Sequence, residues 1–487
     1  MTPSNLNLDS NLFKKLGVDP VQLYIGVAVF TLVPLFLGII LEQYFLFLIP
    51  LAVAFIIFCI LDFKKLYLLL LFFIPLSMEV NVPGGFSTDL PAEPLMILLM
   101  GIYFLYITTN RDKINWDFVK HPIIQVLIIH IVWIFISALY AEIKLIAIKF
   151  FLAKLWYVSV FVFLTGLIIK TKEDFKQALL FICIPLVYTI LASLVKHASL
   201  GFSFDDVNRS LVPFFRNHVN YAALLSLLLP FIWMAPKWHS NKNAIRFFKV
   251  ARVVVILGLV FAYTRGAWLS LIMAGIFIFV LKRKWIGKSI IAGVIVLIGT
   301  GFYMVKNNQY LDHAPDFSTT IYHADLGEHL SATTEFKDVS GAERIYRWVA
   351  SIKMSGEHLL TGFGPNNFYH YYKSHTVSMF STYVSDNPEK SGTHNYFLMT
   401  LTEQGIIGLL LFILLTFFIF RNGAMLYHEC KDKEQKEFVL VILTSMLIIY
   451  VQLMLSDLVE ALKIGVFFFF NVALLVNQDL LHKKKKI

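Results

Sequence analysis

The chain has 487 residues, 58% of them apolar and 15% charged, with a mean hydropathy of +0.70. Soluble domains hold about half apolar and about a quarter charged residues, so a water-soluble fold is excluded; continuously apolar runs, in place of alternation, exclude a β-barrel. The net charge of +10 does not point to nucleic acid, because the lysines and arginines stand in short clusters between apolar runs.

Taken in order, the apolar runs predict an all-α polytopic membrane protein of about 12–14 transmembrane helices. A polar start, 1–20, carries no cleavable signal pattern. Spans are expected over 21–42 and 44–61, hinged at Glu42-Gln43, and from Phe63-Lys64-Lys65 to Ser77. The polar loop Met78 to Glu93 holds Pro83-Gly84-Gly85, and a fourth span reaches Thr108. A basic connection leads to the fifth span, 122–140, and the stretch 141–150 is expected to lie in the interface before the sixth, 151–169. The seventh, 178–195, opens into the loop Lys196 to Asn220, and the eighth ends at Trp233. The ninth reaches Tyr263, where Thr264-Arg265-Gly266 turns tightly into the tenth; the eleventh ends near Val305. A long loop, Lys306 to Thr393, precedes the twelfth span, and two more flank Ser456-Asp457. The expected organisation is an N-terminal segment 1–20, a bundle 21–305, a large outer loop 306–393 containing short helices, C-terminal spans 394–477 and a basic tail 478–487. No disulfide framework is expected of Cys59, Cys183 and Cys430.

Under this count one set of connections carries about 27 of the 42 lysines and arginines, which places that side and both termini in the cytoplasm. The five arginines of the other side, Arg209, Arg216, Arg265, Arg344 and Arg347, run against the bias and each needs a reason. Arg265, in a turn between two spans, is a snorkelling cation or a functional charge. Arg216 precedes the eighth span beside two asparagines and a histidine, and a solvated loop arginine is the alternative. Ser340-Gly341-Ala342-Glu343 predicts a capping box opening a helix over about 342–354 that stops at Gly356. On it Arg344 and Arg347 share a face, so an anion bridges them or a neighbouring acid such as Glu343 does.

Further on, the turn Thr361-Gly362-Phe363-Gly364-Pro365 would let backbone approach a ligand. His394 begins the twelfth span on the same outer side and has an ordinary pKa suited to proton transfer. The loop's other histidines show no metal-ligand spacing, and no metal site is read. Asp89 and Glu93 anchor a rival carboxylate or metal mechanism, against which solvated loop acids are the plainer reading.

These residues are familiar as a set. Thr264-Arg265-Gly266-Ala267-Trp268, Glu343-Arg344-x-x-Arg347-Trp348, the Thr361 to Pro365 turn, and His394-Asn395-x-x-Leu398 running to Glu403-Gln404-Gly405-Ile406-Ile407-Gly408 resemble the O-antigen ligase family, best over about Asn217 to Phe412. That family includes O-antigen polymerases and protein O-oligosaccharyltransferases. The resemblance implies a GT-C-type, metal-independent glycosyltransferase without cofactor, working at the periplasmic face of the bacterial inner membrane. Its donor would be an undecaprenyl-diphosphate-linked glycan, and its acceptor lipid A-core or another glycan. By the same resemblance Arg265 and Arg344, with Arg347 and Arg216, would bind the diphosphate, and His394 would act as general base or orient the acceptor hydroxyl. From another class, a polysaccharide flippase would instead place ionisable residues and broken helices near mid-membrane.

Overall fold

The computed structural model describes residues 62–82, 86–306, 339–381, 385–387 and 390–486, with Gln309 and scattered positions between 26 and 39. The expected N-terminal segment, most of the first two spans, and His313, His323 and His329 lie outside the described residues.

From residue 63 onward every expected span has a helix. They are α1 Phe63–Leu76, α2 Ala92–Thr109, α3 Pro122–Leu139, α4 Lys144–Ile168, α5 Lys172–Ser199, α6 His218–Trp238, α7 Lys242–Val260, α8 Arg265–Lys282 and α9 Ile286–Val305. Loop helix α10, Val339–Glu357, follows, then α11 Tyr396–Glu429, α12 Lys433–Leu453 and α13 Leu462–Lys486. Among the described residues nine helices are long and apolar enough to cross a membrane. This is an all-α polytopic membrane protein. Its described strands are a small antiparallel hairpin, β1 Met78–Val82 with β2 Phe86–Leu90, pairing Met78 with Leu90 in the polar loop before α2.

Three local expectations change. The stretch 144–150 is continuous with the sixth span, forming the first two turns of α4, on which Lys154 is buried against Glu460 Oε1 at 2.7 Å. Helix α10 starts at Val339 rather than after Ser340, and it runs through Gly356. The Glu343 side chain pairs with Arg347 and Ser385. Finally, α11 runs 34 residues, into the expected basic connection.

Between helices, side-chain amides and hydroxyls join what apolar packing leaves unspecified in lipid. Gln452 Nε2 on α12 donates to Ser226 Oγ on α6 at 2.7 Å and to Ser270 Oγ on α8 at 3.2 Å. Ser445 Oγ donates to the Leu227 carbonyl at 2.8 Å and accepts from Asn471 Nδ2 of α13 at 3.0 Å. Each such bond contributes only about 0.6 kcal/mol on average, yet together they fix α6, α8, α12 and α13 in register. The ends of α12 and α13 that carry the 454–461 connection are thereby set against the start of α8.

Candidate active site

One fastening of the loop to the bundle is built on a break in α11. Helix α11 is broken at Gly405, which takes φ +70°, a conformation that favours glycine. The broken turn exposes backbone groups to the 359–366 segment. Phe363 N donates to Thr402 O and Gly364 N to Glu403 O, both at 2.9 Å, and Ile406 N donates to Leu359 O at 2.8 Å. Glu403 accepts the N–H groups of Asn366 at 2.7 Å and Phe368 at 3.2 Å. From α3, Ser137 Oγ donates to Thr361 O at 2.8 Å and Trp133 Nε1 to Gln404 O at 2.8 Å. The glycine turn read as a place for close approach to a ligand is thus a place for close approach of backbone to backbone: a Cβ at Gly362 would stand 2.4 Å from the Glu403 carbonyl carbon.

Helix α10 then lays its arginine face on the turn before α11. Arg347 is 4% exposed, and its guanidinium makes three contacts: Glu343 Oε2 at 3.3 Å, the Gly392 carbonyl at 3.2 Å and His394 Nε2 at 2.7 Å. Arginine has no acceptor, so His394 accepts at Nε2 and its ring proton sits on Nδ1. Burial first, then the Arg347 and Arg344 charges, hold the His394 pKa down at about 3, and the ring is neutral at physiological pH. His394 itself takes φ +55°, uncommon for a side-chain-bearing residue. Asn395 caps α11, accepting from Phe397 N at 3.0 Å and Leu398 N at 3.1 Å.

The 454–457 connection meets the same turn from the other side. Asn395 Nδ2 donates to Met454 O at 3.2 Å, and Arg344 Nε donates to Leu455 O at 3.3 Å. The Asp457 carboxylate faces the backbone of His394 and Asn395, whose amides favour its charged form; Asn395 N itself donates to Thr393 Oγ1 at 3.3 Å. The carboxylate stands so close to the turn that a Cβ at Gly392 would lie 2.1 Å from Asp457 Oδ2. Its other oxygen, Oδ1, is buried without a hydrogen-bond partner. Burial, reinforced by Glu460, pushes the Asp457 pKa up to about 7 despite the nearby Arg347 charge and the two amides.

The expected residues therefore converge to different degrees. Arg344, Arg347 and His394 form one cluster. Arg265 opens α8 beside it: a Cβ at the next residue, Gly266, would be in contact with Leu455 Cδ1 at 3.5 Å, and Thr264 Oγ1 donates to the His218 carbonyl at 3.2 Å. Arg216 is exposed and stands two residues before His218, which opens α6. Asp89 and Glu93 belong to a neighbouring set: Glu93 accepts from Thr88 Oγ1 at 2.6 Å, and burial, then Glu93, raises the Asp89 pKa to about 6. Among the described residues no group of three or more His, Cys, Asp or Glu side chains could hold a metal ion.

Asp457 is the residue that sequence reasoning passed over. Its signal was present, a carboxylate in a short connection between two spans, where ionisable groups are functional by default. Nothing in the sequence pairs it with a histidine 63 positions earlier.

Compared with known proteins, residues 250–413 match the model of the family described as O-antigen ligase. The matched segment runs from α7 to the middle of α11 and includes Arg265, Arg344, Arg347 and His394; Arg216 and Asp457 fall outside it. Compared with curated proteins, the chain gives no match.

Proposed function

We propose that the chain, whose residues 250–413 match the family described as O-antigen ligase, transfers a glycan from undecaprenyl diphosphate to an acceptor hydroxyl at the periplasmic face of the bacterial inner membrane, the acceptor being lipid A-core. The observation that carries this reading is the convergence of Arg344, Arg347 and His394 on one turn, with Arg265 opening the adjoining helix.

A diphosphate is an activated leaving group, so the protein's task is to stabilise negative charge as it develops and to hold the acceptor in line. Arg265 and Arg344 take the diphosphate in this reading, and the exposed Arg216 guides it in. Arg347, buried and committed to Glu343, acts through His394. The acceptor oxygen bonds to the anomeric carbon while the bond from that carbon to the diphosphate oxygen breaks, the electron pair leaving with the phosphate. His394 orients the acceptor, and it takes the hydroxyl proton at Nε2 once the arriving diphosphate draws Arg347 away. Until then Nε2 is occupied, which keeps the base idle without donor.

The test is transfer in vitro by the purified full chain, supplied with lipid-linked glycan and lipid A-core, with EDTA present. Product whose glycan is joined to lipid A-core supports ligation. Elongated glycan still on the carrier would assign the polymerase reaction instead, and absence of any new glycosidic bond, with glycan moved between leaflets, would overturn the enzyme reading.

A further inference from the structure

We propose that the end of the bundle opposite the histidine turn carries a binding site for the phosphate of an anionic phospholipid, built from Lys170 and Lys484. Helix α13 is 25 residues long, about 37 Å at 1.5 Å per residue. It begins five residues after Asp457 and ends at this second site, so the two lie at opposite ends of a membrane-length helix.

There a cleft of about 250 Å³ is lined by Asn115, Lys170, Asn477, Leu480 and Lys484, among others. Both lysines enter it, and neither makes an ion pair among the described residues. The carboxylates at hand are already engaged. Asp174, the acid that acts on Lys170, is bonded to Lys64 Nζ at 2.6 Å and to Thr171. Asp479 is bonded to His121 Nε2 at 3.0 Å and Lys483 Nζ at 2.7 Å.

Two ammonium groups in one cleft repel each other and are stabilised by an anion between them. Partial burial, then the Lys484 charge, already lowers the Lys170 pKa from its ordinary value. Asn115 uses Oδ1 to cap Phe118 N at 3.3 Å, which leaves its NH₂ as a further donor. Leu480 gives the cleft an apolar wall beside the cations, as a phosphoglycerol head and the start of an acyl chain require. Basic pockets between helix ends at the membrane surface are where anionic headgroups bind. A free phosphate shares the charge but has no use for the apolar wall.

The experiment is native mass spectrometry of the purified full chain released from nanodiscs of phosphatidylglycerol mixed with phosphatidylcholine. Wild type should retain phosphatidylglycerol, and Lys170→Gln/Lys484→Gln should lose retention by about ten- to thirtyfold, at about 1 kcal/mol per lysine. The control Lys172→Gln/Lys485→Gln removes the same charge from lysines paired with Glu434 and Asp432, and should retain lipid as wild type does. Equal loss in both variants would mean diffuse surface attraction and overturn the site. Inorganic phosphate that competes the lipid away at equal concentration would overturn the lipid as ligand. Should the double variant fail to fold, Lys484→Gln alone, at an exposed chain end, carries the same comparison.

Discussion

Arg347 donates to His394 Nε2 across 2.7 Å, and since a guanidinium cannot accept in return, this one contact fixes the tautomer of the histidine. It also places a permanent positive charge against a ring whose burial already disfavours protonation. The tautomer of His394, and part of its neutrality, thus come from a residue 47 positions away.

The first consequence concerns pH. With its pKa held at about 3 before donor arrives, His394 is neutral in the free protein, and its protonation contributes no limb near pH 6.5 to the kcat/KM profile. In Arg347→Gln one of the two depressing charges is gone while burial, the larger cause, persists. The His394 pKa should rise part of the way toward 6.5, visible by NMR of labelled histidine, with transfer reduced about 10²-fold. An unmoved histidine titration in that variant would contradict the role assigned to Arg347.

Asp457 should supply the acid limb instead. Its carboxyl, pushed up to about 7, is ionised above that pH, so transfer should fall as pH drops below 7. Asp457→Asn keeps the side chain's size and an oxygen facing the His394 and Asn395 backbone, and should be made at wild-type levels with that limb removed. Stability runs the other way. A carboxyl whose folded pKa lies above its unfolded value of about 3.9 stabilises most when protonated. Relative to Asp457→Asn, wild type should lose thermal stability as pH rises from about 4 to about 7, measured in detergent.

At the arginines the expected losses are graded. Arg265→Ala and Arg344→Ala each remove a charge proposed to meet the leaving group and should lower kcat by about 10²–10³-fold. Arg216→Ala, at an exposed position, should act mainly on KM and on its salt dependence. Equal kcat losses at all three positions would place Arg216 inside the site.

The fastening at Gly405 predicts a stability effect without chemistry. Glu403→Ala leaves the N–H groups of Asn366 and Phe368 without their acceptor, at about 1–3 kcal/mol for the buried Phe368 donor and less for the part-buried one at Asn366. Gly405→Ala adds strain, about 1–3 kcal/mol, at a left-handed residue whose Cβ would lie 2.1 Å from Leu360 O. Both variants should show a lower Tm and faster proteolytic nicking between 357 and 395, with the helices of the bundle intact.

Much of this was legible in the chain. Apolar run length gives the spans from residue 63 onward, because a lipid-crossing helix must satisfy its own backbone and be about 20 residues long. The i, i+3 spacing of Arg344 and Arg347 gives their shared face, and the polar-to-apolar step at His394 and Asn395 gives the start of α11. Each of these is a local property, set within a turn or two of helix. What tertiary structure alone decided is who meets whom. A sequence shows that Glu343 is near Arg347, but not that the same guanidinium reaches His394, nor that the Thr361 to Pro365 turn closes on a broken helix rather than on a ligand. It does not show that Asp457 stands against the histidine turn, close to Gly392, since that approach is to backbone and carries no side-chain signature to read. His394 was visible from the sequence by its residue type and position; its neutrality, its tautomer and its dependence on Arg347 and Asp457 exist only once distant segments are packed against one another.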